Sequence, residues 1–296
     1  MNWTFGHIDF SVYPSYSEGP LGVFCMPGKT IVTIWAPTSS MVLFRTYTTG
    51  WGGELIDVIQ LEKKPGGIWY AELLGDFHGT YYTIQCQIDN HWMDEIPDPY
   101  AFAVGVNGRR GMICDLMRTN PQGWDIDHRV LPENYTDMVI YELHVRDFSI
   151  DEFSGITHKG KYLAFTEHGT RSPEGLKTGI DHLLEMGVTH VHLLPVFDFL
   201  TVDENHFNSN EYNWGYDPLN YNVPEGSYST DPHLGDVRIK EFKQMVKALH
   251  DANIGVIMDV VYNHTGLIHH SYFNQTVPGY YYRQRDNGTF SDASGC

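Results

Sequence analysis

The run Asn253-Ile-Gly-Val-Ile-Met-Asp-Val-Val-Tyr-Asn-His-Thr265 decides how the chain is read. Ile254 to Met258 is the near-continuous apolar run of a parallel strand buried on both faces. Asp259 interrupts it, and an ionised carboxylate inside a strand is costly unless it is paired or hydrogen-bonded. Two-residue alternation puts Ile257, Asp259, Val261 and Asn263 on one face and Val256, Met258 and Val260 on the other. The strand is therefore apolar at its start and carries Asp259, Asn263 and His264 at its end. A parallel strand whose C-terminal end feeds an active site shows this polarity. The plain alternative is that Asp259 caps a turn and His264 is an ordinary loop residue.

Upstream, the same rhythm recurs. Val139–Val145 reads as a strand. Leu176, Ile180, Leu183 and Leu184 fall at helical spacing with Gly187 as a stop, and Val188–Pro195 is a second buried strand. Ile239, Phe242, Val246 and Leu249 stripe a second helix, with Asp236 as candidate N-cap and Asn253 as a left-handed C-terminal residue. This β-α-β-α-β series predicts a parallel sheet with right-handed crossovers, either open or the first part of a barrel. No glycine-rich phosphate loop follows any strand, which argues against a nucleotide fold. From about Gly22 to Leu116 the pattern differs. Thr30–Trp35, Met41–Thr46, Leu55–Leu61, Ile68–Leu73 and Tyr81–Ile88 are β-branched or aromatic runs, separated by turn residues such as Pro65-Gly66-Gly67. Five such strands predict a β-sandwich that folds on its own, joined to the parallel part by a Pro- and Asn-rich linker. Trp35, Trp69 and Tyr82 offer flat faces for stacking on a ligand, or else for packing between the sheets, where their places within strands put them.

Composition narrows the partners. The 296 residues suffice for one large domain or two ordinary ones, and the net charge of −18 argues against nucleic acid and anionic membranes. Cys25, Cys86, Cys114 and Cys296 show no zinc spacing and read as free thiols. The N-terminus has neither a basic nor an apolar leader region and no run reaches membrane-spanning length, so a cytoplasmic location is expected.

Between the second strand and second helix, Phe197–Gly235 reads as a long structureless loop, a kind that is usually functional. It holds Tyr212-Asn-Trp-Gly-Tyr-Asp-Pro218, where aromatic faces alternate with hydrogen-bonding side chains, as a pyranose ring requires. A self-packed surface loop is the alternative. Asp259-Val-Val-Tyr-Asn-His264 resembles the first signature motif of the alpha-amylase superfamily of glycoside hydrolases (family 13). Tyr212–Pro218 resembles the signature of type I pullulanases, and Asp98-Pro-Tyr100, Tyr141–Phe148 and Thr189–Val196 also look like that family. Lys29–Pro37 and Gly79–Ile84 resemble its starch-binding-like module.

The resemblance implies a multidomain β plus α/β fold. An immunoglobulin-like β-sandwich over residues 1–116 and a linker over 117–137 precede the first part, about three strands, of a (β/α)8 TIM barrel over 138–296. It implies cleavage of α-1,6-glucosidic links in pullulan, amylopectin or glycogen by two carboxyl groups with retention. Asp259 would shape the site, His264 would hydrogen-bond the sugar and Tyr216 would stack on it, with Trp214, Asp217, Tyr212 and Asn213 as substrate-binding neighbours. Asn263 is read as structural. It helps hold calcium in several relatives, but no other ligand is placed here, so no cofactor is assigned. The family's nucleophile and acid/base motifs follow later barrel strands and map onto no residue before Cys296. The chain is thus expected to be an N-terminal portion, inactive alone. Alternatives are a neopullulanase or isoamylase-like enzyme, a non-enzymatic glucan binder, or a metal-dependent amidohydrolase built on His190-Val-His192.

Overall fold

The computed structural model describes residues 9–206 and 211–291, so Cys296 lies outside the described residues. The five expected antiparallel strands form within a residue or so of their predicted bounds: β2 (Lys29–Trp35), β3 (Met41–Tyr47), β4 (Leu55–Gln60), β6 (Ile68–Leu74) and β7 (Tyr81–Ile88). Two further strands, β1 (Gly22–Met26) and β5 (Glu62–Lys64), escape the sequence pattern, as do the two-residue β8 (His91–Trp92) and β9 (Gly111–Met112). They make two antiparallel sheets, ordered β1-β2-β6-β5 and β4-β3-β7-β8, with β9 also on β7. The hairpin from β7 to β8 turns on Asp89 and Asn90, both at positive φ (48° and 63°), the residue types that tolerate this handedness in a two-residue turn.

Val32, Ile34, Val42, Phe44 and Ile84 fill the space between the sheets. Trp35, Trp69 and Tyr82 are buried, and Trp69 Nε1 donates to the Ala36 carbonyl at 3.0 Å. These rings pack; they are not presented for stacking. Tyr272, from the far end of the chain, belongs to the same core and donates to the Gly108 carbonyl at 2.9 Å.

The parallel part consists of β10 (Ile140–Leu143), β11 (His190–Leu193) and β14 (Gly255–Met258), in the order β10-β11-β14. Helix α1 (Gly179–Met186) ends at Gly187, which takes φ 72°, and α2 (Gly235–Asp251) is followed by Asn253 at φ 57°. The second helix departs from expectation at its start. Leu234 is the N-cap and Asp236 sits inside the first turn, where a carboxylate suits the helix dipole. Leu176 lies outside α1 and, like Leu184, is exposed, whereas Ile180, Leu183, Met245 and Leu249 are buried against Leu143, Val191 and Leu193.

Two sequence expectations need correction. Val256, Ile257 and Met258 are half-buried rather than enclosed on both faces, because β14 pairs only with β11 among the described residues and so lies at the sheet edge. The stretch after β11 is not structureless either. β12 (Phe197–Phe199) and β13 (Pro218–Pro224) pair antiparallel within it, with register shifts around Asp198. No described helix is long and apolar enough to cross a membrane.

Candidate functional site

The three parallel strands end side by side. Leu194 N–H donates to the Leu143 carbonyl at 3.0 Å and Asp259 N–H to the Leu193 carbonyl at 3.0 Å, which fixes Asp259 just past the C-terminal edge of the sheet. Above that edge opens a cleft of about 770 Å³ walled by Tyr141, Phe148, Phe153, Tyr212, Trp214 and Tyr216. Glu142 and Asp147 also face it, so it is aromatic and acidic, a lining that suits a neutral polyhydroxyl ligand.

The Tyr212–Pro218 segment is built as a tight frame. Asn213 Nδ2 donates to Thr201 Oγ1 and to Asp217 Oδ1, both at 2.6 Å, while its Oδ1 accepts from Gly215 N–H at 2.7 Å. Thr201 Oγ1 in turn donates to Asp217 Oδ2 at 2.8 Å. Gly215 takes φ 89°, and a Cβ there would lie 2.6 Å from the Pro195 carbonyl oxygen, so only glycine lets the turn press against the end of β11. Asn213 and Asp217 thus spend their polar atoms on the turn itself.

This frame carries Tyr216 to the strand end. Its hydroxyl donates to Asp259 Oδ2 at 2.7 Å. Burial, followed by that hydrogen bond to a carboxylate, pushes the phenol up to about 12, so it stays a donor at any physiological pH. His264 Nε2 donates to the Tyr216 carbonyl at 2.5 Å, and the other ring nitrogen is Nδ1. That Nδ1 is buried and without a partner among the described residues. The structure therefore brings Tyr216, Asp259 and His264 together. Trp214 stands 60% exposed on the cleft wall, open to stacking. Asn263 is exposed and does not line the cleft.

Tyr212 defines the opposite side, and its partners carry no role in the sequence reading. Its hydroxyl donates to Asp147 Oδ2 at 2.9 Å and its ring lies 5.1 Å from that of His144. His144 is buried, with Nε2 at 2.9 Å from both the Asn213 carbonyl and the Tyr228 hydroxyl; burial lowers its pKa and keeps it neutral. The signal for these residues lies in Tyr141–Phe148, where two-residue alternation puts Glu142 and His144 on one face as the strand ends.

The His190-Val-His192 pair does not assemble into a metal site among the described residues. His190 Nδ1 lies 2.9 Å from Thr189 Oγ1 and His192 Nδ1 3.6 Å from Glu142, and neither joins a ligand group among the described residues. Among the described residues one such group is found, Asp198, Glu204 and Glu225, all buried. The Arg238 guanidinium already holds Asp198 and Glu204, each at 2.9 Å. Backbone N–H groups of Asn107 and Gly226 donate to Glu204, and those of Phe199 and Ser227 to Glu225. Carboxylates surrounded by donors and a fixed cation do not make a calcium cage.

Residues 154–288 match the family model described as "Alpha amylase, catalytic domain". Pullulanase of Bacillus subtilis is 39% identical over 280 residues, a match covering 95% of this chain and 38% of the relative. Among solved structures, pullulanase from Bacillus acidopullulyticus matches with TM-score 0.91 at 47% identity, covering 96% of this chain and 35% of that one. Pullulanase from Paenibacillus barengoltzii, in complex with maltohexaose and alpha-cyclodextrin, matches with TM-score 0.93 at 46% identity, covering 96% and 44%. The chain thus spans well under half the length of the relatives it matches. With the Tyr212–Pro218 turn closed onto the Asp259 strand end and these matches along nearly all of its length, the chain belongs to the pullulanase-type glycoside hydrolases of the alpha-amylase superfamily.

Proposed function

We propose that the protein carrying this chain hydrolyses α-1,6-glucosidic links in pullulan and branched glucans such as amylopectin and glycogen, with retention of anomeric configuration. The observation that carries the reading is the hydrogen bond from Tyr216 to Asp259, braced by His264, because it joins the two signature motifs in one constellation under an aromatic cleft. Tyr216 and Trp214 supply faces for sugar rings, and Asp259 orients the Tyr216 ring from below. The Paenibacillus relative is crystallised with α-glucans, which supports that ligand class here. A retaining reaction needs a nucleophile and an acid/base about 5–5.5 Å apart. We assign neither to a residue of this chain, and propose that the 296 residues alone are inactive.

The two antiparallel sheets support an immunoglobulin-like β-sandwich over 1–116, and β10, β11 and β14 support the opening of a (β/α)8 barrel over 138–296, with 117–137 between. Incubating the complete protein with pullulan tests the function. Maltotriose released first as the α-anomer is expected, and products of α-1,4 cleavage alone would point to a neopullulanase-like enzyme.

A further inference from the structure

The loop between β8 and β9 is tied to the segment after β12 through one residue, Asn107. Asn107 there adopts a left-handed conformation (φ 57°, ψ 22°), which asparagine tolerates better than most residues, and its hydrogen bonds fix it there. What fixes it is the segment after β12. Asn107 N–H donates to Glu204 Oε2 at 2.6 Å, its Nδ2 donates to Asp203 Oδ1 at 2.8 Å, and its Oδ1 accepts from Glu204 N–H at 2.7 Å. One side-chain amide thus serves a carboxylate and a backbone N–H together, which neither Asp nor Ala can do. Both acidic partners are anchored further. Glu204 binds the buried Arg238 at 2.9 Å, and Asp203 N–H donates to Glu211 Oε2 at 2.7 Å. Two residues before Asp203, Thr201 holds Asn213 and Asp217, and Leu200 N–H donates to the Asp217 carbonyl at 3.1 Å. That frame delivers Tyr216 to Asp259.

We propose that Asn107 is a positioning residue for the cleft: by clamping Asp203 and Glu204 it holds Leu200 and Thr201 where they fix the Tyr212–Pro218 turn. The clamp ties the loop between β8 and β9 to the segment that frames the Tyr212–Pro218 turn, so the β part takes part in shaping the site without lining the cleft.

Hydrogen exchange on the full chain, without ligand, tests this. In Asn107→Ala, and in Asn107→Gly, which keeps the left-handed backbone, the amides of Leu200, Glu204 and Gly215 should exchange at least tenfold faster. Amides of β2, β3 and β7 should keep their rates. Asn107→Asp should be worse than Ala, since it adds a third carboxylate to Asp203 and Glu204. Adding Asp203→Asn to it should restore most of the protection by reversing donor and acceptor. Unchanged exchange at Leu200 and Gly215 in the Ala and Gly variants would overturn the proposal. So would equal acceleration everywhere, which would make Asn107 a residue of general stability. Maltotetraose titration supplies the link to function and rests on the reading of the cleft as an α-glucan site; about tenfold weaker binding is expected for Asn107→Ala. Failure of the unmodified chain to bind maltotetraose would count against that reading and leave the exchange result to decide the clamp.

Discussion

At the scale of single residues, the buried charges around Arg238 are the least legible feature of the sequence and among the most consequential. Asp198, Glu204, Glu225 and Arg238 are spread from β12 into α2, and nothing in their local patterns marks them as partners. Burial, then the nearby Glu204 carboxylate, raises Asp198 to about 7, and burial raises Asp98, whose carboxylate accepts the Tyr82 hydroxyl, to about 6. Both folded values exceed the unfolded value of 3.8, so the folded state binds more protons between them. Stability from these groups is complete below about pH 4 and is lost as pH rises through 6 to 7. The melting temperature should therefore fall between pH 5 and pH 8. Asp198→Asn removes the titrating group and should flatten that fall, while losing the ion pair to Arg238; a parallel pH profile would show that Asp198 ionises freely in the fold. By contrast Asp259 was legible, because a lone carboxylate interrupting an apolar run advertises itself.

Among the elements, strands with β-branched runs and helices with clear stops could be read nearly to the residue. β7 matched its expected span, and Gly187 and Asn253 took the left-handed conformations expected of them. The β12–β13 pair could not be read. Pro218-Leu-Asn-Tyr-Asn-Val-Pro224 has prolines at both ends and Asn222 at φ 62°, features that argue against a strand, and only the pairing with Phe197–Phe199 makes it one. Asp236 misled for a related reason, since an acidic residue fits both the cap and the first turn of a helix. The residue types of Tyr212–Pro218 single the segment out, while its frame through Thr201 is not visible from spacing. Gly215→Ala tests that frame. It forces a Cβ toward the Pro195 carbonyl at a positive φ and should cost about 1–3 kcal/mol in chemical denaturation, with a raised KM for pullulan in the complete protein. An unaltered midpoint and KM would mean that the turn tolerates a different backbone path.

For the molecule as a whole, the strand and helix pattern along the sequence indicates an antiparallel part and a parallel part, and both are present. Their attachment is closer than a linker alone suggests. Tyr272 enters the core between the sheets, the Tyr81 hydroxyl donates to the His233 carbonyl at 2.6 Å, and Lys243 reaches the Leu116 carbonyl, Thr119 and Asn120 at 2.7–3.0 Å. Limited proteolysis should still cut within residues 125–137, where most side chains are exposed. The two pieces should then co-elute under native conditions and part only in denaturant; separation without denaturant would show that these contacts hold little. The central claim is that Tyr216, set on Asp259, serves the ligand and not the fold. The measurement that reaches it most directly is Tyr216→Ala in the complete protein, with kcat/KM on pullulan and thermal melting taken on one preparation. The account predicts a loss of tenfold or more in kcat/KM, about 1.4 kcal/mol or above, with a melting temperature close to the parent's, since the ring is 38% exposed. A variant that melts early yet turns over pullulan at the parental rate when folded would contradict it.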